Sequence, residues 1–170
     1  MTTMTPEDAE ALANGADLTP QAGILAQYVK DLSFENPNSP GSLQQQGQPK
    51  LDVSVNLNAR AGGNDMYEVE LRITASAKSE AGLAMFAVEL IYAGLFRLSG
   101  APQEAIEPFL MVEAPRILFP FARRVIADAV RDGGFAPLML DPIDFGGLYI
   151  QQLDARRGGQ AGQDPAIGHA

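Results

Sequence analysis

LAMFAVELIYAGLFRL, residues 83–98, is apolar on both of its alternating sides. Phe86, Val88, Leu90, Tyr92, Phe96 and Leu98 share one side of an extended chain; Met85, Ala87, Ile91, Ala93 and Leu95 share the other. Glu89 interrupts the run and Arg97 stands near its end. A strand apolar on both faces needs cover on both. One layer of helices covers one face. A second copy of the chain is the simplest cover for the other.

Upstream, three more segments alternate in the same way. LDVSVNLNA (51–59) turns Leu51, Val53, Val55 and Leu57 inward and Asp52, Ser54, Asn56 and Asn58 outward. MYEVELRITASAK (66–78) turns Tyr67, Val69, Leu71 and Ile73 inward and Glu68, Glu70, Arg72 and Thr74 outward. AGGND (61–65) and SEAG (79–82) read as turns, which permits antiparallel pairing of strands two, three and four. YVKDLSFENPNSP (28–40) begins as a strand. Strict alternation groups Tyr28, Lys30, Leu32 and Phe34 on one face and Val29, Asp31, Ser33 and Glu35 on the other, until Pro37 and Pro40 stop it. GSLQQQGQP (41–49) is a polar loop, long enough for the first strand to join either edge.

Downstream the period changes. Residues 103–112 predict a short helix. APRILFPFARRVIADAVRDGG (114–134) predicts a longer one, with a stripe of Ile117, Leu118, Phe121, Ala122, Val125, Ile126, Ala129 and Val130. Pro115 suits its first turn, Pro120 should kink it, and Gly133 and Gly134 stop it. A last helix is expected from Asp141 as N-cap to about Asp154, with Phe145, Leu148, Tyr149 and Leu153 on its apolar side. Four strands followed by helices mean an α+β fold. Between the last two helices, GGFAPLMLDPIDF (133–145) is a loop that carries Phe135, Leu138, Met139, Leu140, Ile143 and Phe145. Loops are usually polar. These side chains either plug a gap in the core or wait for a partner.

Composition narrows the classes. A net charge of −9 lacks the basic footprint of a nucleic-acid binder and disfavours anionic membranes. With no cysteine, disulfides, thiol catalysis and zinc–thiolate sites are excluded. No apolar run reaches the about 20 residues of a membrane span, and the N-terminus has no secretory signal pattern. The expected compartment is the cytoplasm. Residues 1–23 form an acidic segment expected to be mostly flexible, 155–170 a flexible tail, and 24–154 the folded domain.

Candidates for catalysis are poor. His169 is the only histidine and sits one residue from the end. Glu68 and Glu70 lie about 7 Å apart on one strand face; a carboxylate pair can do acid–base work, but a solvated outer face explains this one more simply. The glycines of DGGF and AGGND lack the strand–loop–helix setting of a phosphate cradle. Arg123 and Arg124 are adjacent on the polar side of the long helix, within reach of Asp128. Asp31 and Glu35 point the same way, about 13 Å apart. With Glu89 and the outward acids of strand three they make an acidic sheet surface, either simply solvated or a dock for a basic partner.

Taken together, YVKDLSFENPNSP (28–40), FAVELIYAGLFRL (86–98), APRILFPFARRVIADAVRDGGF (114–135) and PLMLDPIDFGGLY (137–149) resemble the SecB family of bacterial export chaperones. The likeness covers roughly residues 24–154. It implies a four-stranded antiparallel sheet with helices packed on one face, and a homotetramer built as a dimer of dimers. It implies a holdase that binds unfolded preproteins and delivers them to the SecA ATPase, with no cofactor, no metal and no catalysis of its own. The SecA contact falls on Asp31, Glu35, Ala87 and Glu89, where Ala87 departs from the larger apolar residue of the family pattern. The client contact falls on Leu43, on Phe135, Leu138 and Leu140, and on Phe145, Leu148, Tyr149 and Leu153. The loop near Gly47 lacks the aromatic residue that the family can carry there. Two alternatives keep the same sequence features: a chaperone of this family controlling a toxin–antitoxin pair, and a carrier with a closed pocket for a small apolar ligand.

Overall fold

The structure, a computed structural model, describes residues 21–161. The acidic segment before residue 21 and the tail after residue 161, with His169, lie outside the described residues. Four strands, β1 (Gln21–Glu35), β2 (Lys50–Gly63), β3 (Met66–Lys78) and β4 (Ala84–Ser99), form one antiparallel sheet. Its order is β1-β4-β3-β2, so the first strand returns to the β4 edge and β2 forms the other edge. Helices α1 (Gln103–Pro108), α2 (Ala114–Asp132) and α3 (Phe145–Ala161) follow. The α+β architecture expected from the sequence is present.

The β2–β3 hairpin turns at Asn64 and Asp65, both left-handed at φ 52° and 58°. Two such residues make the turn whose twist matches the strands it joins. It extends β2 to Gly63, beyond the expected end at residue 59. β1 begins earlier than expected and is not a regular alternation. A shift in register between Val29 and Asp31 places Val29 opposite Tyr92 and Asp31 opposite Ile91. Such a bulge reverses the face of the residues before it, here as far as a second shift between Ile24 and Ala26. Tyr28 therefore lies opposite Ala93 on the outer face, while Leu32 and Phe34 oppose Leu90 and Val88 on the inner one. The expected grouping of Tyr28 with Leu32 and Phe34 is overturned, and Val29 parts from Asp31.

The two expected helices run together. Backbone at Pro108 and at Ala114 stays helical, and residues Phe109–Glu113 between α1 and α2 widen into a π turn. Pro108 and Pro115 flank it; each lacks the N–H that an α turn would use, and a π bulge absorbs such a defect. α2 ends where Gly134 turns left-handed at φ 92°. The final helix starts later than expected, at Phe145 rather than Asp141. Its first turn is capped by Asp144, whose Oδ1 accepts from the Gly147 N–H at 3.0 Å. It also continues to Ala161, seven residues into the expected tail, with Arg156 paired to Glu107 at 2.8 Å.

Leu71, Ile73, Leu90, Phe96, Leu118, Ile126 and Val130 are fully buried between the sheet's inner face and α2. Gly94 permits this approach: a Cβ there would stand 2.7 Å from the Phe96 ring and 2.8 Å from Leu118 Cδ2. The helices do not span the sheet. Leu51 and Val53 face inward, opposite buried Ala77 and Ala75, yet remain 48% and 42% exposed. On the other flank Ile117 and Phe121, expected in the core stripe, are also exposed, with Phe121 stacked on Tyr92 at 6.4 Å.

Candidate functional site

The uncovered inner side of β2 forms the floor of a channel. At one end, Leu43, Pro49, Leu51, Phe86, Phe135 and Leu138 enclose a hollow of about 360 Å³. The next, about 330 Å³, is bounded by Leu51, Val53, Val55, Leu138, Met139 and Ile143. A third, about 310 Å³, lies among Val55, Leu57, Met111, Leu148 and Tyr149. The fourth, about 570 Å³, lies among Leu57, Ala59, Ile106, Leu110 and Met111. Leu51 and Leu138 belong to the first and second, Val55 to the second and third, and Leu57 and Met111 to the third and fourth. The hollows therefore join into one trough, about 30 Å long at strand spacing.

Local chemistry holds the loops that wall it. Asn36 donates from Nδ2 to the Gly133 carbonyl at 3.1 Å, and its Oδ1 accepts from the buried Ser42 hydroxyl at 2.8 Å. Asn38 donates to the Ala84 carbonyl at 2.9 Å. These bonds satisfy the end of α2 and fix the turn that presents Leu43. Gly133 is needed beneath it, since a Cβ there would meet the Phe34 ring at 2.2 Å. Phe34, Phe86 and Phe135 then follow in ring contact at 6.1 and 5.1 Å, linking core to trough.

Of the residues expected to meet clients, Leu43, Phe135, Leu138, Leu148 and Tyr149 line the trough. Phe145 and Leu140 reach its wall but are only 1% and 6% exposed. Phe145 packs edge-on against Phe119 at 6.1 Å. Both are packed mainly into the core, Phe145 because the last helix buries part of its apolar side to dock and Leu140 from the loop before it, so each offers little surface to the trough. Leu153 is half-buried and lines none of the four hollows. Sequence reasoning missed Met111 and the β2 row as trough residues. The strict alternation of Leu51, Val53, Val55 and Leu57 was the available signal, but it reads equally well as an ordinary covered face.

Apart from the apolar row of Ile91, Ala93 and Leu95 along the middle of β4, the outer sheet face is polar, and its charges fall into two halves. In one, Ser33, Glu35, Asp52, Ser54, Thr74, Ser76, Ala87 and Glu89 line a shallow depression of about 240 Å³. Glu35 lies opposite Ala87 and Ser33 opposite Glu89, with Asp31 next on the same face. Glu89 is paired with Arg72, whereas Asp31, Glu35 and Asp52 have no ion pair among the described residues. The small Ala87 side chain leaves the floor of this depression open.

In the other half, Glu68 and Glu70 are not part of the acidic surface expected of them. Lys30 and Arg60 bridge both carboxylates, and the Tyr28 hydroxyl donates to Glu68. The bulge in β1 makes this possible by bringing Tyr28 and Lys30 to the outer face. The hydrogen bond from Lys30, then those from Tyr28 and Arg60, lower the Glu68 carboxyl from 4.5 to about 2. A carboxyl lowered on folding contributes stability that is present above its unfolded value and lost as it is protonated. The unfolding free energy of the parent, relative to Glu68→Gln, is thus expected to be constant well above pH 4.5. It should shrink as pH falls from 4.5 towards about 2. Urea unfolding at a series of pH values checks this; a difference that stays flat through that window sinks it.

No helix among the described residues is long and apolar enough to cross a membrane. The family model described as preprotein translocase subunit SecB matches residues 15–156. The protein-export protein SecB of Sphingopyxis alaskensis is 52% identical over 157 residues, covering 92% of this chain and 91% of the relative. That of Rhizorhabdus wittichii is 56% identical over 146 residues, covering 86% and 87%. A SecB-like chaperone of Mycobacterium tuberculosis, solved with an antitoxin peptide, superposes with a TM-score of 0.60 over 72% of this chain and 90% of that one, at 14% identity. That likeness speaks for the fold; the sequence relatives speak for the lineage. The chain belongs to the SecB family of protein-export chaperones.

Proposed function

We propose that the trough along β2 holds unfolded preproteins in the cytoplasm and that the acidic sheet face passes them to the SecA ATPase. The observation that carries this reading is the continuity of the trough. Leu43, Leu51, Val53, Met139 and Leu148 stay 42–59% exposed along it. Apolar contact is non-directional and accepts many side-chain sequences, which suits a holder of varied clients. Met139, unbranched and polarizable, adapts to different shapes. No nucleotide or metal enters this scheme. Phe135, Leu138 and Tyr149 complete the client surface of the trough, and the half-buried Leu153 stands outside its four hollows on the same helix as Tyr149.

For SecA, Asp31, Glu35 and Glu89 around Ala87 present carboxylates to a basic partner, and Asp52 adds a fourth. Such a contact governs encounter rate and specificity and weakens with salt. The assembly is a homotetramer, a dimer of dimers. Its support is the second apolar surface, where Ile24, Val29 and Leu32 of β1 lie exposed beside Ile117 and Phe121 of α2. Five large exposed apolar side chains in one region mark an association surface.

Purified protein is expected to suppress aggregation of a slowly folding client without ATP. Light scattering should report four chains per particle with and without that client. Aggregation at the rate of the client alone, or a monomer in solution, overturns the proposal.

A further inference from the structure

We infer that Arg72 guards the acidic sheet face: it holds Glu89 in an ion pair that a basic partner must break, and so sets which partners that face accepts. This rests on the SecA contact proposed above and specifies what makes it selective. Glu89 lies opposite Thr74 and Arg72 opposite Ile91, so Arg72 and Glu89 are diagonal neighbours on the outer face, and they are paired. Diagonal neighbours about 7–8 Å apart are within reach of long side chains. A second carboxylate, Glu70, stands two residues from Arg72 on the same strand and face. It is already bridged by Lys30 and Arg60, and the Asn58 amide donates to it at 3.5 Å. Lys30 is there because of the bulge between Val29 and Asp31. The residues directly beside Arg72, Asn56 on β2 and Ile91 on β4, carry no charge. Arg72 is therefore directed to Glu89. The bulge that builds one half of the face also decides how much charge the other half shows.

The pair is built to yield. The side chains of Arg72 and Glu89 are 47% and 39% exposed. An ion pair so open to water contributes about 0–1 kcal/mol. A partner with several cations engages Asp31, Glu35 and Asp52 first, and the attraction gained there exceeds the cost of displacing Arg72 from Glu89. A partner with a single cation meets a neutralised Glu89 with a positive charge beside it and gains little. Selectivity then comes from a repulsive group set among attractive ones. Arg72 acts only through Glu89, as a positioning residue that governs when this carboxylate is free.

The test measures binding of purified SecA to the full-length protein by titration calorimetry at low salt. Arg72→Gln is expected to bind about threefold to fivefold more tightly than the parent. A damaged fold does not produce such a gain. In a Glu89→Gln background the same substitution should change affinity by less than about 1.5-fold, because the guarded carboxylate is gone. Arg72→Lys keeps a cation beside Glu89 and should stay within about 1.5-fold of the parent. Arg97→Gln makes the same change in net charge on the same face, about 27 Å along β4 from Glu89, and should also leave the affinity within about 1.5-fold. If Arg72→Gln brings no gain, gains equally without Glu89, or gains no more than Arg97→Gln, the guard is wrong. The SecA contact then stands on its own test, the loss of affinity when Asp31→Lys and Glu35→Lys are combined. If that charge-reversed variant binds SecA like the parent, or the parent does not bind SecA, contact and guard fall together.

Discussion

Replacing Met139 and Leu148 together by aspartate is expected to weaken binding of an unfolded client by about a hundredfold. Neither side chain supports the fold: they are 59% and 42% exposed, and surface substitutions usually shift stability by about 0.5 kcal/mol or less. Each new carboxylate would, however, stand in the second or third hollow of the trough. A client filling that space would have to strip water from two charges without supplying partners. Affinity measured by fluorescence anisotropy with a chemically unfolded client checks this. The reciprocal variant carries Asp31→Lys and Glu35→Lys on the outer face. It should bind the client within about threefold of the parent and lose most of its affinity for SecA at low salt. If either variant loses both partners equally, the two faces are not separate sites and the proposed division of labour fails.

The second large effect concerns the core. Phe96→Ala is expected to destabilise the protein by about 3–5 kcal/mol, a large share of the about 5–15 kcal/mol typical of a domain. Phe96 is 1% exposed and meets Phe109 of the π turn edge-on at 5.8 Å. Its ring also occupies the space that the missing Cβ of Gly94 leaves open. Sheet, π turn and α2 meet at this ring, so the cavity has no single flexible neighbour to fill it. Urea unfolding monitored by far-ultraviolet circular dichroism gives the value; a loss below about 1 kcal/mol would show that the neighbours collapse into the space.

Much of this molecule is legible along the chain. Strict alternation in residues 66–78 gives β3 its observed bounds, and the two-sided apolar run gives β4 to within one residue. β1 shows where such reading stops. Its apolar pattern looks continuous, but one bulge at Val29 exchanges the faces of Tyr28 and Lys30 and builds the network with Glu68 and Glu70. A bulge is chosen by pairing with β4, and pairing is not written in β1 alone. The last helix shows the same limit. Asp141-Pro142 offers a good start, yet Asp144 supplies the cap, and the chain stays extended from buried Leu140 up to it.

The amino-acid order by itself determined the strands, the helical stripe, the polar outer face and the family, because period and residue type are local properties. It also determined that apolar side chains exceed what one chain can cover. Only tertiary structure decided which of them stay uncovered. Phe145 and Leu148 are three residues apart on one helix and equally apolar, but α3 docks on its Phe145 side and leaves Leu148 over the edge of the sheet. Burial depends on where a neighbouring layer ends, and the layer of helices ends short of β2.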